Sequence, residues 1–204
     1  MSFTLEDVRI DQGAIEKEQY RRQEYTLPGY GDRETEVENY FDGIVAAINR
    51  KNRIFSDCLK EVRGRFVFTP KGMDDSKTPR LDRVLIPAPE LIDAGWTHGP
   101  IGVELKASGK KVGRPIAQIL DYKRAEFELS PGYHTEFEWM FLFPFQEGVC
   151  GLGSVMCQNR IGALSFTRGT LTFNVSGTMA IIYHMRTGHC RARTMKTGLR
   201  RGSR

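Results

Sequence analysis

Hydrophobic residues recur along the chain at two spacings, and each spacing predicts a type of element. Between Glu34 and Asn49 they return at helical spacing, which predicts a first core helix. Short apolar or alternating runs bounded by glycine or proline predict strands, the last two forming a hairpin. These runs cover residues 63–70, 78–87, 101–106, 138–145, 161–166, 171–175 and 179–183. Further helices are predicted from Pro115 onward and over residues 153–160, so the element order indicates an α/β fold with a mixed sheet.

The run at 101–106 places two opposite charges on one face of a predicted strand. Successive side chains of a strand point to opposite faces. One face carries three apolar residues and the other a glycine and both charges: Ile101, Val103 and Leu105 against Gly102, Glu104 and Lys106. A strand that served only for packing would not place a carboxylate and an ammonium side by side. We therefore expect a functional site here.

A second carboxylate near Glu104 would suit a hard divalent cation, which binds one or two carboxylates together with water and phosphate oxygens. Asp82 lies near the start of the predicted strand 78–87, and antiparallel pairing would bring it close to Glu104. Asp93 is the alternative, although its proline- and glycine-rich surroundings predict a loop. Lys106 would then orient the attacking water or offset charge in the transition state. This combination indicates metal-assisted hydrolysis of phosphodiesters.

The ordered set of Asp82, the triplet 104–106, Gln118 and Tyr122 resembles the PD-(D/E)xK, or restriction-endonuclease-like, nuclease superfamily of phage and recombination-repair type. The resemblance spans roughly residues 34–166. It implies a four- to five-stranded mixed sheet flanked by helices, here with an extra C-terminal hairpin. It also implies a DNA endonuclease, in some members structure-selective, that depends on Mg²⁺ or Mn²⁺.

The resemblance implies roles for individual residues. The implied catalytic set is Lys106, Glu104, Asp82, Gln118 and Tyr122. The implied metal ligands are Asp82, Glu104, the peptide oxygen of Leu105 and an acidic residue on the first core helix. Glu38 is the best match for that helix residue, and Glu34, one turn earlier, is the alternative.

Basic residues concentrate in two places, and the net charge of the chain is +5. Residues 186–204 carry seven basic residues and no acidic ones, which predicts a flexible tail that binds a phosphate backbone. A second basic group surrounds the helix predicted at Pro115 and supplies the candidates for DNA contacts: Lys110, Lys111, Arg114, Lys123 and Arg124. DNA is the expected partner, with RNA as the alternative. Many members of the superfamily dimerise, so a homodimer stays open.

The 204 residues are expected to divide into a polar N-terminal arm (1–32), a nuclease domain (33–185) and the basic tail (186–204). Neither a membrane-spanning run nor a signal peptide is recognisable in the sequence. We therefore expect a cytoplasmic protein of a prokaryotic or phage-infected cell, with no membrane partner. Two other functions stay open: a catalytically silent nuclease-like fold that binds nucleic acid, and a protein-interaction or assembly factor whose ion pairs are structural.

Overall fold

The computed structural model of the chain describes residues 33–51, 53–67, 78–107, 113–144, 153–167, 169–175, 179–184 and 189–194. The predicted N-terminal arm, Lys110, Lys111 and most of the predicted tail lie outside these ranges. The helices within them are α1 (Glu34–Lys51), α2 (Pro89–Asp93), α3 (Gly113–Tyr122) and α4 (Gly153–Gln158). The strands are β1 (Phe55–Phe66), β2 (Arg80–Pro87), β3 (Ile101–Leu105), β4 (Ala125–Ser130), β5 (Tyr133–Thr135), β6 (Trp139–Phe143), β7 (Ile161–Thr167), β8 (Thr170–Val175), β9 (Met179–His184) and β10 (His189–Thr194).

The described strands form a mixed sheet in the order β10-β9-β8-β7-β6-β3-β2-β1-β4-β5. Strand β6 runs parallel to β3 on one side and to β7 on the other, and the remaining pairs are antiparallel. The eight described strands that lie between β10 and β1 in this spatial order form the main body of the sheet. The end of β1 pairs with β4, which forms a hairpin with β5. The predicted α/β class, with a mixed sheet flanked by helices, is confirmed. The predicted number of four to five strands is wrong.

The structure has strand residues in segments where the sequence pattern predicted none. Strand β1 begins at Phe55, well before the predicted start at 63. The alternation of Ala125, Phe127 and Leu129 with polar residues marks β4, which was not predicted. Strand β10 pairs with β9 from His189 to Thr194. Part of the predicted tail from 186 therefore forms a strand, because strand pairing through the backbone does not require an apolar composition.

Helix α1 covers one face of the sheet and forms the larger core. Its apolar stripe is buried, as the helical spacing predicts: Val37, Phe41, Ile44, Val45 and Ile48. The stripe belongs to the same core as the β3 residues Ile101, Val103 and Leu105. The other side of β3 therefore faces the opposite core, in which Ile116 and Ile119 of α3 pack with the sheet. No helix in the described ranges has the length and apolar character needed to span a membrane.

Strand β1 changes partners along its length. It pairs with β2 from Phe55 to Arg63 and with β4 from Gly64 to Phe66. Glu61, just before this change, has a left-handed backbone with φ 48°, which is uncommon for a residue with a side chain. Strands β2 and β3 pair in the middle of the sheet, and they carry the charged residues Asp82, Arg83 and Glu104.

Candidate active site

Asp82 and Glu104 lie on neighbouring antiparallel strands. Arg83 pairs with Val103 across β2 and β3, and one residue further in the same register Asp82 lies opposite Glu104. The Oδ2 atom of Asp82 accepts a hydrogen bond of 2.7 Å from the backbone N–H of Leu105. The competing residue, Asp93, is exposed at the end of α2. Asp82 is therefore the carboxylate that strand pairing brings to Glu104.

Glu104 is fully buried, with 0% of its surface exposed. Its Oε1 atom lies 2.7 Å from Nζ of Lys106. Apart from this ion-pair contact, neither oxygen has a hydrogen-bond partner among the residues that the structure describes. Burial raises the pKa of Glu104 to about 7, and the charge of Asp82 adds to this, although Lys106 opposes it. The carboxylate is thus poorly compensated by its protein surroundings.

Lys106 is half-buried between acidic groups. Burial disfavours its ammonium, but the charges of Glu104 and its acidic neighbours outweigh that effect and raise the pKa of Lys106 above its usual value. Burial likewise raises the pKa of Asp82, while the Leu105 N–H and the Lys106 charge act in the other direction. The site therefore keeps a firmly protonated lysine beside two carboxyl groups that resist ionisation.

Both acidic candidates on α1 lie near the site, and each has a different basic partner. Glu34 lies 3.7 Å from Nζ of Lys106 and its charge acts on Glu104. Glu38 lies one turn later, and its charge acts on Asp82. Its Oε2 atom accepts a 3.1 Å hydrogen bond from Nη2 of Arg83. The alternatives left open by the sequence thus occupy two positions around one acidic centre.

Gln118 and Tyr122 lie one turn apart on α3, as predicted. Gln118 Nε2 donates a hydrogen bond of 2.7 Å to Tyr122 Oη. Burial raises the pKa of Tyr122, and the charges of Glu104 and Asp82 raise it further. The Tyr122 phenol is therefore neutral, held by the Gln118 amide and close enough for the charges of Asp82 and Glu104 to act on it.

The described donor set suits a hard cation that keeps several water ligands. Within the described ranges, no group of three or more histidine, cysteine, aspartate or glutamate side chains is arranged to hold a metal ion. Mg²⁺, however, is often bound by only one or two carboxylates with water and phosphate oxygens. Asp82 and Glu104 fit that pattern, and apart from the Lys106 ammonium at Oε1 the buried oxygens of Glu104 have no hydrogen-bond partner among the described residues. Leu105, the remaining implied ligand, lies between Glu104 and Lys106 at the end of β3.

Three of the basic candidates lie within the described residues, and their surroundings differ. Arg114 is exposed in the first turn of α3, and Arg124 is exposed just after that helix. Lys110 and Lys111 lie outside the described residues. Lys123 Nζ instead donates hydrogen bonds to the backbone carbonyls of Phe137 and Glu138. The chain before β6 thus covers its ammonium, and its assignment as a phosphate contact stays a prediction.

Two residues beside the site, Arg83 and Asp42, were not among those predicted from the sequence. Arg83 is buried, and its Nε donates a 2.7 Å hydrogen bond to Asp42 Oδ1. The feature of the sequence that could have indicated this contact is an arginine inside an apolar strand, next to Asp82.

Comparisons with protein-family models, with curated proteins and with solved structures found no match for this chain. The function therefore has to be inferred from the geometry and chemistry of these residues.

Proposed function

We propose that the chain is a divalent-metal-dependent nuclease that hydrolyses phosphodiester bonds in DNA. The supporting observation is Glu104, a fully buried carboxylate whose polar contact among the described residues is the Lys106 ammonium at one oxygen, opposite Asp82 on the next strand. A buried ion in this state is costly for the fold. Binding of Mg²⁺ or Mn²⁺ between the two carboxylates would offset that cost.

Within this proposal, Asp82 and Glu104 hold the cation, and the peptide oxygen of Leu105 is a further ligand. When bound, the cation would stabilise negative charge on the phosphate and lower the pKa of a coordinated water. Lys106 has the position and the permanent charge to orient the attacking water or to stabilise the developing phosphorane. Glu38 and Glu34 add negative charge that acts on Asp82 and Glu104, so cations are attracted to this end of β3.

Gln118 and Tyr122 are proposed to hold the phosphate beside the metal. The Gln118 amide donates to the phenol oxygen, which leaves the phenolic hydrogen available for an acceptor. A phosphate oxygen near Asp82 and Glu104 would be such an acceptor. The pair thereby recognises the phosphodiester without reading a base.

DNA is the proposed substrate, with RNA as the alternative to be tested. Support comes from the ordered set Asp82, Glu104, Lys106, Gln118 and Tyr122, which resembles PD-(D/E)xK nucleases. The exposed guanidinium of Arg114 at the start of α3 is suited to a backbone phosphate contact. Such contacts position a duplex but carry no sequence information, which favours structure-selective or nonspecific endonuclease cleavage.

One observation favours a catalytically silent relative that only binds nucleic acid. The described residues offer two strand carboxylates but no larger group of metal-binding side chains. A silent protein would bind DNA in a salt-sensitive manner without cutting it. A protein-interaction factor would show neither metal dependence nor salt-sensitive binding.

Cleavage of a substrate panel tests these functions. Supercoiled plasmid, branched DNA, linear single- and double-stranded DNA and RNA are incubated with wild type, Glu104→Ala and Lys106→Ala, in Mg²⁺, Mn²⁺ or EDTA. The proposal expects metal-dependent cutting by wild type that is lost in both variants. Cutting that persists in both variants would come from another site or a contaminant, and binding without cutting would favour the silent fold.

A further inference from the structure

Arg83 follows Asp82 on β2 and is the most deeply buried basic residue described, with 2% of its surface exposed. Its guanidinium donates four hydrogen bonds to three residues. Nη1 donates to the backbone carbonyl oxygen of Asp82 at 2.7 Å. Nε and Nη2 donate to the two carboxylate oxygens of Asp42 at 2.7 and 3.1 Å. Nη2 also donates to Glu38 Oε2 at 3.1 Å.

These contacts join two elements that both supply acidic groups to the candidate active site. Glu38 and Asp42 are one turn apart on α1, so the guanidinium fork reaches both. The same fork holds the peptide of Asp82, whose side chain accepts the Leu105 N–H. Arg83 therefore fixes the distance between helix α1 and the strand that carries the proposed metal ligand.

Stability alone is a weak reason for such an arrangement. Buried ion pairs are often no more stable than apolar residues of the same volume, because desolvation opposes the attraction between the charges. A planar guanidinium is suited instead to holding several oxygens in a fixed geometry, which a lysine ammonium does poorly. The arrangement thus provides geometric precision next to Asp82.

We propose that Arg83 is a positioning residue of the metal site: it holds the Asp82 peptide and the Glu38 carboxylate in the relative position that divalent cation binding requires. Arg83 touches neither the cation nor the substrate, and it acts through Asp82 and Glu38. This inference rests on the proposed function, since it concerns the same two-carboxylate site.

Charge and geometry give opposite expectations, which makes the inference testable. A positive charge close to a cation site repels the cation, so removing it would tighten Mn²⁺ binding if Arg83 acted through charge alone. If Arg83 acts through geometry, its loss weakens Mn²⁺ binding. A purely structural role would lower the stability of the fold and leave the affinity of the folded protein unchanged.

The experiment measures Mn²⁺ dissociation constants by electron paramagnetic resonance on the full chain, for wild type, Arg83→Lys and Arg83→Gln. Lys60→Met is the matched control, because Lys60 pairs with the same Asp42 but is mostly exposed. Urea unfolding in EDTA establishes that each variant is folded under the conditions of the titration. We expect Mn²⁺ affinity to fall about 10-fold or more in both Arg83 variants, as for other residues that orient metal ligands, and to stay within about twofold of wild type in Lys60→Met.

Equal or tighter Mn²⁺ binding by folded Arg83→Lys and Arg83→Gln would overturn the positioning role. If either variant fails to fold, Asp42→Asn loosens the same guanidinium from α1, and unchanged Mn²⁺ affinity in that variant would also overturn it. Glu104→Gln separates this result from failure of the proposed function. If wild type binds Mn²⁺ no better than Glu104→Gln, there is no metal site at Glu104 and both proposals fall.

Discussion

Replacing Glu104 with glutamine is expected to change how the stability of the metal-free protein depends on pH. Burial raises the pKa of Glu104 in the folded chain to about 7, compared with its usual 4.5. The folded state thus keeps this proton to higher pH than the unfolded state. The contribution to stability is fully present below about pH 4.5 and is lost as the pH rises through about 7. A pKa difference of this size corresponds to about 3 kcal/mol.

Glutamine resembles the protonated carboxyl but does not titrate. Glu104→Gln also alters the contact with Lys106, but that lysine stays charged throughout, so the loss is nearly constant with pH. The free energy of unfolding of Glu104→Gln minus that of wild type should therefore increase by about 3 kcal/mol between pH 4.5 and pH 8. Urea unfolding in EDTA at half-unit steps of pH measures this difference.

The matched control is Glu90→Gln, since Glu90 is exposed on the short helix α2. Its unfolding free energies should run parallel to those of wild type over the whole range. Parallel curves for Glu104→Gln and wild type would refute the reasoning, because Glu104 would then be ionised as easily in the folded chain as in the unfolded one. At pH 8, Mn²⁺ should stabilise wild type much more than Glu104→Gln, since binding to the native state adds to its stability.

Three further predictions concern single substitutions. Asp82→Asn should reduce the cleavage rate by at least about 100-fold with little loss of stability. Asp82→Ala should also lower the free energy of unfolding by about 1–2 kcal/mol, because the Leu105 N–H loses its acceptor. Equal stability of the two variants in urea unfolding would contradict this prediction. Glu61→Gly should raise the unfolding free energy by about 0.5–1 kcal/mol, because φ is 48° there, and a loss of stability would show that the left-handed backbone is not strained. Gly162→Ala should lower the free energy of unfolding by about 3 kcal/mol or more, since its Cβ would lie 2.2 Å from Phe141 Cε1 and 2.9 Å from the Asn174 carbonyl oxygen. Gly113→Ala is the control and should keep the stability of wild type, because a Cβ at Gly113 meets nothing within 4 Å.

The elements that surround the site could be predicted from short-range patterns. The helical spacing of α1 and the alternation along β3 each describe a single element with one buried face, so the sequence reveals them directly. The proximity of Asp82 and Glu104 followed from the assumption that two neighbouring strands pair antiparallel, and they do. The cleavage chemistry assigned to these residues stays a prediction.

The features that were missed depend on contacts between distant parts of the chain. Arg83 reaches Asp42 and Glu38, which lie 41 and 45 residues earlier, and nothing in the local sequence shows that α1 will cover it. The local sequence indicated that Lys123 is a surface cation, but in the structure the segment before β6 supplies two carbonyl oxygens that accept hydrogen bonds from its ammonium. Burial of a charged side chain is decided by the element that packs on it.

We propose that Glu104 binds a divalent cation on which DNA cleavage by this chain depends. The most direct measurement is the initial rate of supercoiled-plasmid nicking in Mg²⁺ and in Mn²⁺, with EDTA as the blank. Wild type, Glu104→Gln and the exposed control Glu90→Gln are purified in parallel for this assay. We expect metal-dependent nicking by wild type and Glu90→Gln and a loss of at least about 100-fold in Glu104→Gln. Equal rates for all three proteins, or no nicking by wild type in either metal, would contradict the claim.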